Sequence, residues 1–178
     1  MPGRRAGAYD GAMDALALGA YALSTFSCVA GLGVFGFLAA TYRTPMLRSY
    51  LSYSAVATVQ SALALAGQAA AALSPGRAPE PALTELPTLY VLAAYTWVVP
   101  RFYHDFAERP MPRGLRASFI AMAVATLALA PLSLLPTADP LVRFGPSLLA
   151  LLSFLYAMTY SQVLLIRSYQ AIKDRLYR

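Results

Sequence analysis

The sequence is poor in charge. Only 12% of its 178 residues are Asp, Glu, Lys or Arg, and 58% are hydrophobic. A soluble domain carries about 25% charged and about 45–50% apolar residues. Too few polar side chains are present to cover a water-soluble domain of this length. There is one cysteine, Cys28, which excludes an internal disulfide and any multi-cysteine metal site. It lies inside an apolar segment and reads as a small packing residue. There is one histidine, His104, so no histidine pair can hold zinc and no metal site is expected. No phosphate-binding loop and no paired carboxylates occur within the apolar segments. The absence of lysine from those segments excludes a retinal Schiff base there.

What is present is apolar length. The mean hydropathy is +0.54, and the long uncharged runs exceed the roughly 20 residues a helix needs to cross a bilayer. The expected architecture is an all-α integral membrane protein, a bundle of five transmembrane helices. The spans fall at about 15–41, 49–73, 86–106, 117–135 and 145–166. Residues 1–14 read as a polar N-terminal tail, because the apolar run that follows is too long for a signal-peptide core. Residues 167–178 read as a basic tail helix, with Tyr169, Ile172 and Leu176 at helical spacing among Lys173, Asp174 and Arg175.

Charge sets the expected orientation. The net charge is +6, carried in short runs between apolar segments, which is the pattern that orients membrane proteins. It is not the solvated basic face that nucleic acid requires, so direct nucleic-acid binding is not expected. Five spans place Arg43, Arg48, Arg101, Arg109, Arg113, Arg116, Arg167, Lys173, Arg175 and Arg178 on one side. Arg4, Arg5, Arg77 and Arg143 fall on the other. This predicts the N-terminus outside, the C-terminus in the cytoplasm and a multi-pass protein of the bacterial inner membrane.

Two motifs invite chemistry. Gly31-Leu32-Gly33-Val34-Phe35-Gly36 matches GxGxxG. A dinucleotide site also needs a strand before it and an acid about 20 residues on; Arg43 and Arg48 stand near that place instead. Close helix packing is the better reading, with Ser27/Gly31 and Gly36/Ala40 at small-xxx-small spacing. The second motif is Tyr95 to Arg116, YTWVVPRFYHDFAERPMPRGLR, which holds nearly all the interior charge. Residues three and four apart share a helix face, so Trp97, Arg101, His104, Asp105 and Glu108 fall in one band, with Arg109 below Asp105. Pro100 removes the hydrogen bond to the Thr96 carbonyl and is expected to kink the helix.

Two readings of this band stand side by side. One is a polar site in the cytoplasmic third of the bundle that responds to a proton, an anion or a small ligand. The other has Arg101 snorkelling to the headgroups while His104, Asp105 and Glu108 lie outside the hydrocarbon. Span length favours the second, because Arg101 is only about a turn and a half from the segment end. In the fifth span Tyr156 and Tyr160 are one turn apart. With Thr159 and Gln162 they could line a cavity against Gln60 and Trp97, or simply bond between helices. Gln60 and Gln68 are expected to face other helices. His104 alone would need a second axial ligand to hold haem, and no cofactor is expected.

Three segments carry a resemblance: YRTPMLRSYL after the first span, PRFYHDFAERPMPRGLR at the end of the third, and SYQAIKDRLYR after the fifth. From Tyr42 to Arg178 the chain resembles the multi-span bacterial membrane input domains that precede a LuxR-type helix-turn-helix or a histidine-kinase module. The resemblance implies a sensor; an output module is absent from these residues, and no site residue is transferred through it. The expected function is a non-enzymatic inner-membrane sensor or membrane-anchored interaction module. Its signal would pass through helices three and five to the tail, and on to a cytoplasmic partner or a second copy of the chain. The alternatives are a small transporter or channel subunit lined by Gln60, Gln68, Tyr156, Tyr160 and Gln162, and a membrane enzyme acting on lipid or isoprenoid around His104, Asp105 and Glu108.

Overall fold

The computed structural model describes residues 3–73, 81–135 and 139–176, with side chains placed for residues 15–73, 85–135 and 139–171. Five helices follow in order: α1 Gly3–Tyr42, α2 Pro45–Leu73, α3 Pro81–Phe106, α4 Arg113–Leu129 and α5 Pro140–Leu176. A 3-10 turn, Ala130–Leu134, extends α4. It begins where Pro131 has no amide hydrogen to continue the α-helical ladder. The expected tail is helical from Gly3 onward, and α5 starts at Pro140, earlier than the expected 145.

Among the described residues four stretches are long and apolar enough to cross a membrane: Ala15–Tyr42, Pro45–Leu73, Arg113–Leu134 and Pro140–Ala171. This fits a membrane-spanning protein. The expected third span, 86–106, is not among them. Glu85, Arg101 and Asp105 lower its apolar character. Among the described residues α3 packs against α2, α4 and α5, whereas α1 packs against α2 alone. Leu89, Val91, Ala93, Tyr95, Thr96, Val99, Pro100 and His104 of α3 are all buried. A helix surrounded by protein finds partners for polar groups that lipid cannot supply.

The α1–α2 connection is two residues long. Arg43 takes a left-handed conformation (φ 50°), and its amide donates to the Ala39 carbonyl at 3.1 Å, which stops α1. Thr44 Oγ1 then accepts from the Leu47 amide at 3.3 Å, with Pro45 in the first helical position. Contact along the pair runs through Ser24, Cys28, Phe35 and Gly36. Ser61 Oγ lies 3.5 Å from Ser24 Oγ and 3.6 Å from Cys28 Sγ, and the Phe35 and Tyr50 rings are 4.1 Å apart. A Cβ added to Gly31 or Gly33 would meet nothing within 4 Å. The expected close approach does not occur at Gly31, whereas a Cβ added at Gly36 would meet the Leu51 side chain of α2 at 3.8 Å.

The core is built on α3. Val91, Tyr95 and Val99 pack with Tyr53 and Val56 of α2 and with Phe154 and Met158 of α5. Leu89 meets Ala130 and Ala150 toward the other end. Helix α5 turns a stripe of mostly small residues inward: Ala150, Ser153, Ala157, Ser161, Leu164 and Ser168, all buried. Such a stripe lets helix backbones approach closely. Arg43, Arg48, Arg101, Arg109, Arg113, Arg116 and Arg167 all lie exposed. They gather at one end, where the start of α2 and the second half of α5 both touch the end of α3.

Phe119 of α4 is fully buried and packs on Tyr156 and Tyr160, each with ring centroids 5.6 Å away. Phe119→Ala is expected to lower unfolding stability in detergent by about 3 kcal/mol, the low end for a phenylalanine, because in an apolar solvent the loss is packing rather than transfer. Phe119→Leu should cost clearly less in the same assay.

Candidate functional site at the C-terminal end of α3

Helix α3 ends in a Schellman motif. The Arg109 amide donates to the His104 carbonyl at 3.0 Å, and the Glu108 amide to the Asp105 carbonyl at 3.3 Å. Glu108 supplies the left-handed residue, with φ 52°. Both bonds satisfy carbonyls that a helix end leaves open. Glycine is the usual residue at such a position because it has no Cβ to strain; here the turn carries a glutamate.

The His104 side chain reinforces this turn and ties it to α5. His104 is buried, only 5% exposed. Its Nδ1 lies 3.0 Å from the Arg109 carbonyl oxygen, and its Nε2 lies 2.8 Å from the Tyr160 hydroxyl. A carbonyl only accepts, so Nδ1 carries the proton. In the neutral ring Nε2 is then the acceptor, and Tyr160 donates to it. His104 and Arg109 are therefore bonded twice, once through the backbone and once through the ring. The imidazole also stacks on Tyr160, with centroids 5.8 Å apart and planes at 25°, while Phe119 packs against Tyr160 from α4.

Asp105 turns toward α2. The buried Ser49 hydroxyl donates to its Oδ2, and Arg101 Nε stands 4.0 Å from the same oxygen. The arginine side chain is 53% exposed and the aspartate 30%, so this ion pair contributes little beside the serine bond. Trp97 receives two guanidinium groups, that of Arg101 at 6.0 Å and that of Arg116 at 5.8 Å from its ring centroid. Trp97, Arg101, His104, Asp105, Met111 and Arg116 border a cleft of about 310 Å³.

The expected band thus holds in part. Trp97, Arg101, His104 and Asp105 share this cleft. Glu108 and Arg109 instead border a second cleft of about 750 Å³ with Ser168 and Tyr169 of α5, because the helix stops at Phe106 and the left-handed residue redirects the chain. His104 lies buried inside the bundle, whereas the Arg101 side chain is exposed. None of the described clefts brings Tyr156, Tyr160, Gln162, Gln60 and Trp97 together. Tyr160 bonds His104, Tyr156 packs on Phe119, and Gln162 is exposed. Gln60 and Gln68 border a separate cleft of about 390 Å³ among α1, α2 and α3. Ser49, Arg116, Phe119 and Ser168 join the site without being expected from the sequence. The α5 stripe that includes Ser168 is visible there as small residues every three or four positions; the pairing of Trp97 with Arg116 has no signature in sequence.

Among the described residues no three His, Cys, Asp or Glu side chains cluster closely enough to hold a metal ion. No protein-family model, curated protein or solved structure matches the chain. Tyr160→Phe keeps the ring and removes the donor to Nε2. It is expected to cost about 1–2 kcal/mol in unfolding stability in detergent, the scale of leaving a buried acceptor unsatisfied. Glu108→Gly should raise stability by about 1 kcal/mol in the same assay, since it relieves the left-handed strain.

Proposed function

We propose that this chain is a non-enzymatic module of the bacterial inner membrane, a sensor or membrane-anchored interaction module. Its bundle state passes from α3 through His104 to α5 and the tail. The observation that carries the reading is the His104 ring, which joins the last turn of α3 to Tyr160 of α5. Helix α5 has 37 residues, or about 55 Å at about 1.5 Å each. A hydrocarbon core is about 30 Å thick, so α5 is long enough both to cross and to project beyond the headgroups. A shift where Tyr160 meets α3 would be carried along this one rod to the tail.

In this proposal all five helices cross, α3 included, with Leu89, Val91, Tyr95 and Val99 buried among the surrounding helices. The bias of ten basic residues against four supports a cytoplasmic C-terminus. The partner is a cytoplasmic protein or a second copy of the chain, met through the tail helix.

The test uses one cysteine. Cys28→Ala with Gln170→Cys places the only thiol on the exposed face of α5. Its rate of labelling by a membrane-impermeant maleimide is measured in sealed and opened vesicles. Tyr160→Phe and His104→Gln are expected to change that rate by about three- to thirtyfold, the range of 0.5–2 kcal/mol couplings. Equal rates in folded variants would remove the relay. Labelling of sealed right-side-out vesicles would reverse the orientation.

A further inference from the structure

Arg101 and Arg116 come from different helices, yet both guanidinium groups lie over the indole of Trp97. Like charges repel, so two of them over one ring leave a site that gains from an anion. The neighbouring carboxylate does not supply it. Asp105 is engaged by Ser49 and reaches only Arg101, at 4.0 Å. Arg116 forms no ion pair with a carboxylate among the described residues. With Arg101 and Arg116 against Asp105, the cleft keeps one uncompensated positive charge.

The surroundings narrow the ligand. A guanidinium offers a planar fork of donors that matches the paired oxygens of a phosphate group. The cleft has an apolar wall as well, made by the Trp97 ring and Met111. Helix α4 begins two residues beyond Met111, at Arg113, with no side-chain cap and no acidic residue in its first turn. Its opening amides and dipole add positive potential beside the cleft. The exposed Arg43, Arg48 and Arg113 stand at the same end of the bundle, where tryptophan and arginine sit at headgroup level in a membrane protein.

We infer that the cleft between Trp97, Arg101 and Arg116 binds a phosphate group, carried by an anionic phospholipid headgroup or present as the free ion. This names the ligand class for the site proposed above. It rests on that reading only for the relay and not for the binding, and the two are measured by different probes.

Trp97 is the only tryptophan in the chain, so intrinsic emission reports on this cleft alone. The full chain is placed in phosphatidylcholine nanodiscs, and emission is followed in two titrations: replacement of phosphatidylcholine by phosphatidylglycerol, and addition of inorganic phosphate. A saturable change with phosphatidylglycerol alone assigns the site to a lipid headgroup. A saturable change with inorganic phosphate assigns it to the free ion. In either case Arg101→Gln and Arg116→Gln should each weaken the midpoint by about tenfold, the scale of one lost charge-assisted bond. Arg116→Lys should weaken it less. Arg143→Gln, beside Phe144 at the far end, should leave the midpoint in place. Added salt should weaken binding, because both partners are charged. The proposal is overturned by no saturable change with either probe. It is overturned equally by midpoints that do not move in Arg101→Gln and Arg116→Gln chains that unfold at the wild-type temperature. Binding without any change in Gln170→Cys labelling would keep the phosphate site and remove the relay.

Discussion

One imidazole holds the charged end of this bundle together. The His104 ring is buried, and both its nitrogens are occupied, one by the backbone of its own helix end and one by a phenol of α5. Each such bond contributes about 1 kcal/mol net, but a buried partner left unpaired costs about 1–3 kcal/mol. The arrangement is therefore stiff in a way its net energy does not suggest. The same ring fixes the Arg109 carbonyl, and with it the course of the chain between α3 and α4. Pro110 and Pro112 restrict the remaining backbone freedom of that short connection. The starting point of α4, and so the place where Arg116 meets Trp97, follows from this anchored turn.

The other polar groups of the bundle are handled differently. Thr25, Thr41, Thr58, Thr96, Thr126 and Ser161 each return a hydroxyl hydrogen bond to the carbonyl four residues earlier. A hydroxyl satisfied inside its own helix places no demand on a neighbour and fits any packing partner. Other hydroxyls reach across to a neighbouring helix: those of Ser24 and Ser61 stand 3.5 Å apart between α1 and α2. Ser49 donates across to Asp105, and the buried Ser168 hydroxyl has no partner among the described residues.

The helices were legible because uncharged apolar runs of this length seldom form anything but long helices, and because Pro45 and the prolines around α4 mark their boundaries. Helix α5 begins several residues before its expected start, since Arg143 looks like loop but needs only an exposed first turn. Helix α3 is not among the described stretches apolar enough to cross a membrane. Its hydropathy is diluted by Glu85, Arg101 and Asp105, and nothing in the local sequence says that three helices cover it. The site shows the same division. Helical spacing correctly set Trp97, Arg101, His104 and Asp105 around one cleft. It failed at Glu108 and Arg109, because periodicity presumes that the helix continues, whereas a residue with φ 52° ends it. Spacing also says which face of α3 a residue lies on, not which helix covers that face. Neither the burial of His104 nor its bond to Tyr160 follows from such a pattern.

The position of Arg116 has a consequence for how the joint and the cleft relate. Arg101 belongs to α3 and Arg116 to α4, and they meet over Trp97 only when the two helices keep their present spacing. An anion between the guanidinium groups favours that spacing through its differential affinity for it. The spacing is also the one in which His104 caps α3 and Phe119 seats against Tyr160. By reciprocity, whatever strengthens the His104–Tyr160 joint must strengthen such binding by the same factor, and whatever loosens it must weaken it. Helix α5 enters this linkage without touching the ligand, since Tyr160 lies on the far side of the imidazole. The proposed relay from the cleft to α5 therefore needs only this one buried ring.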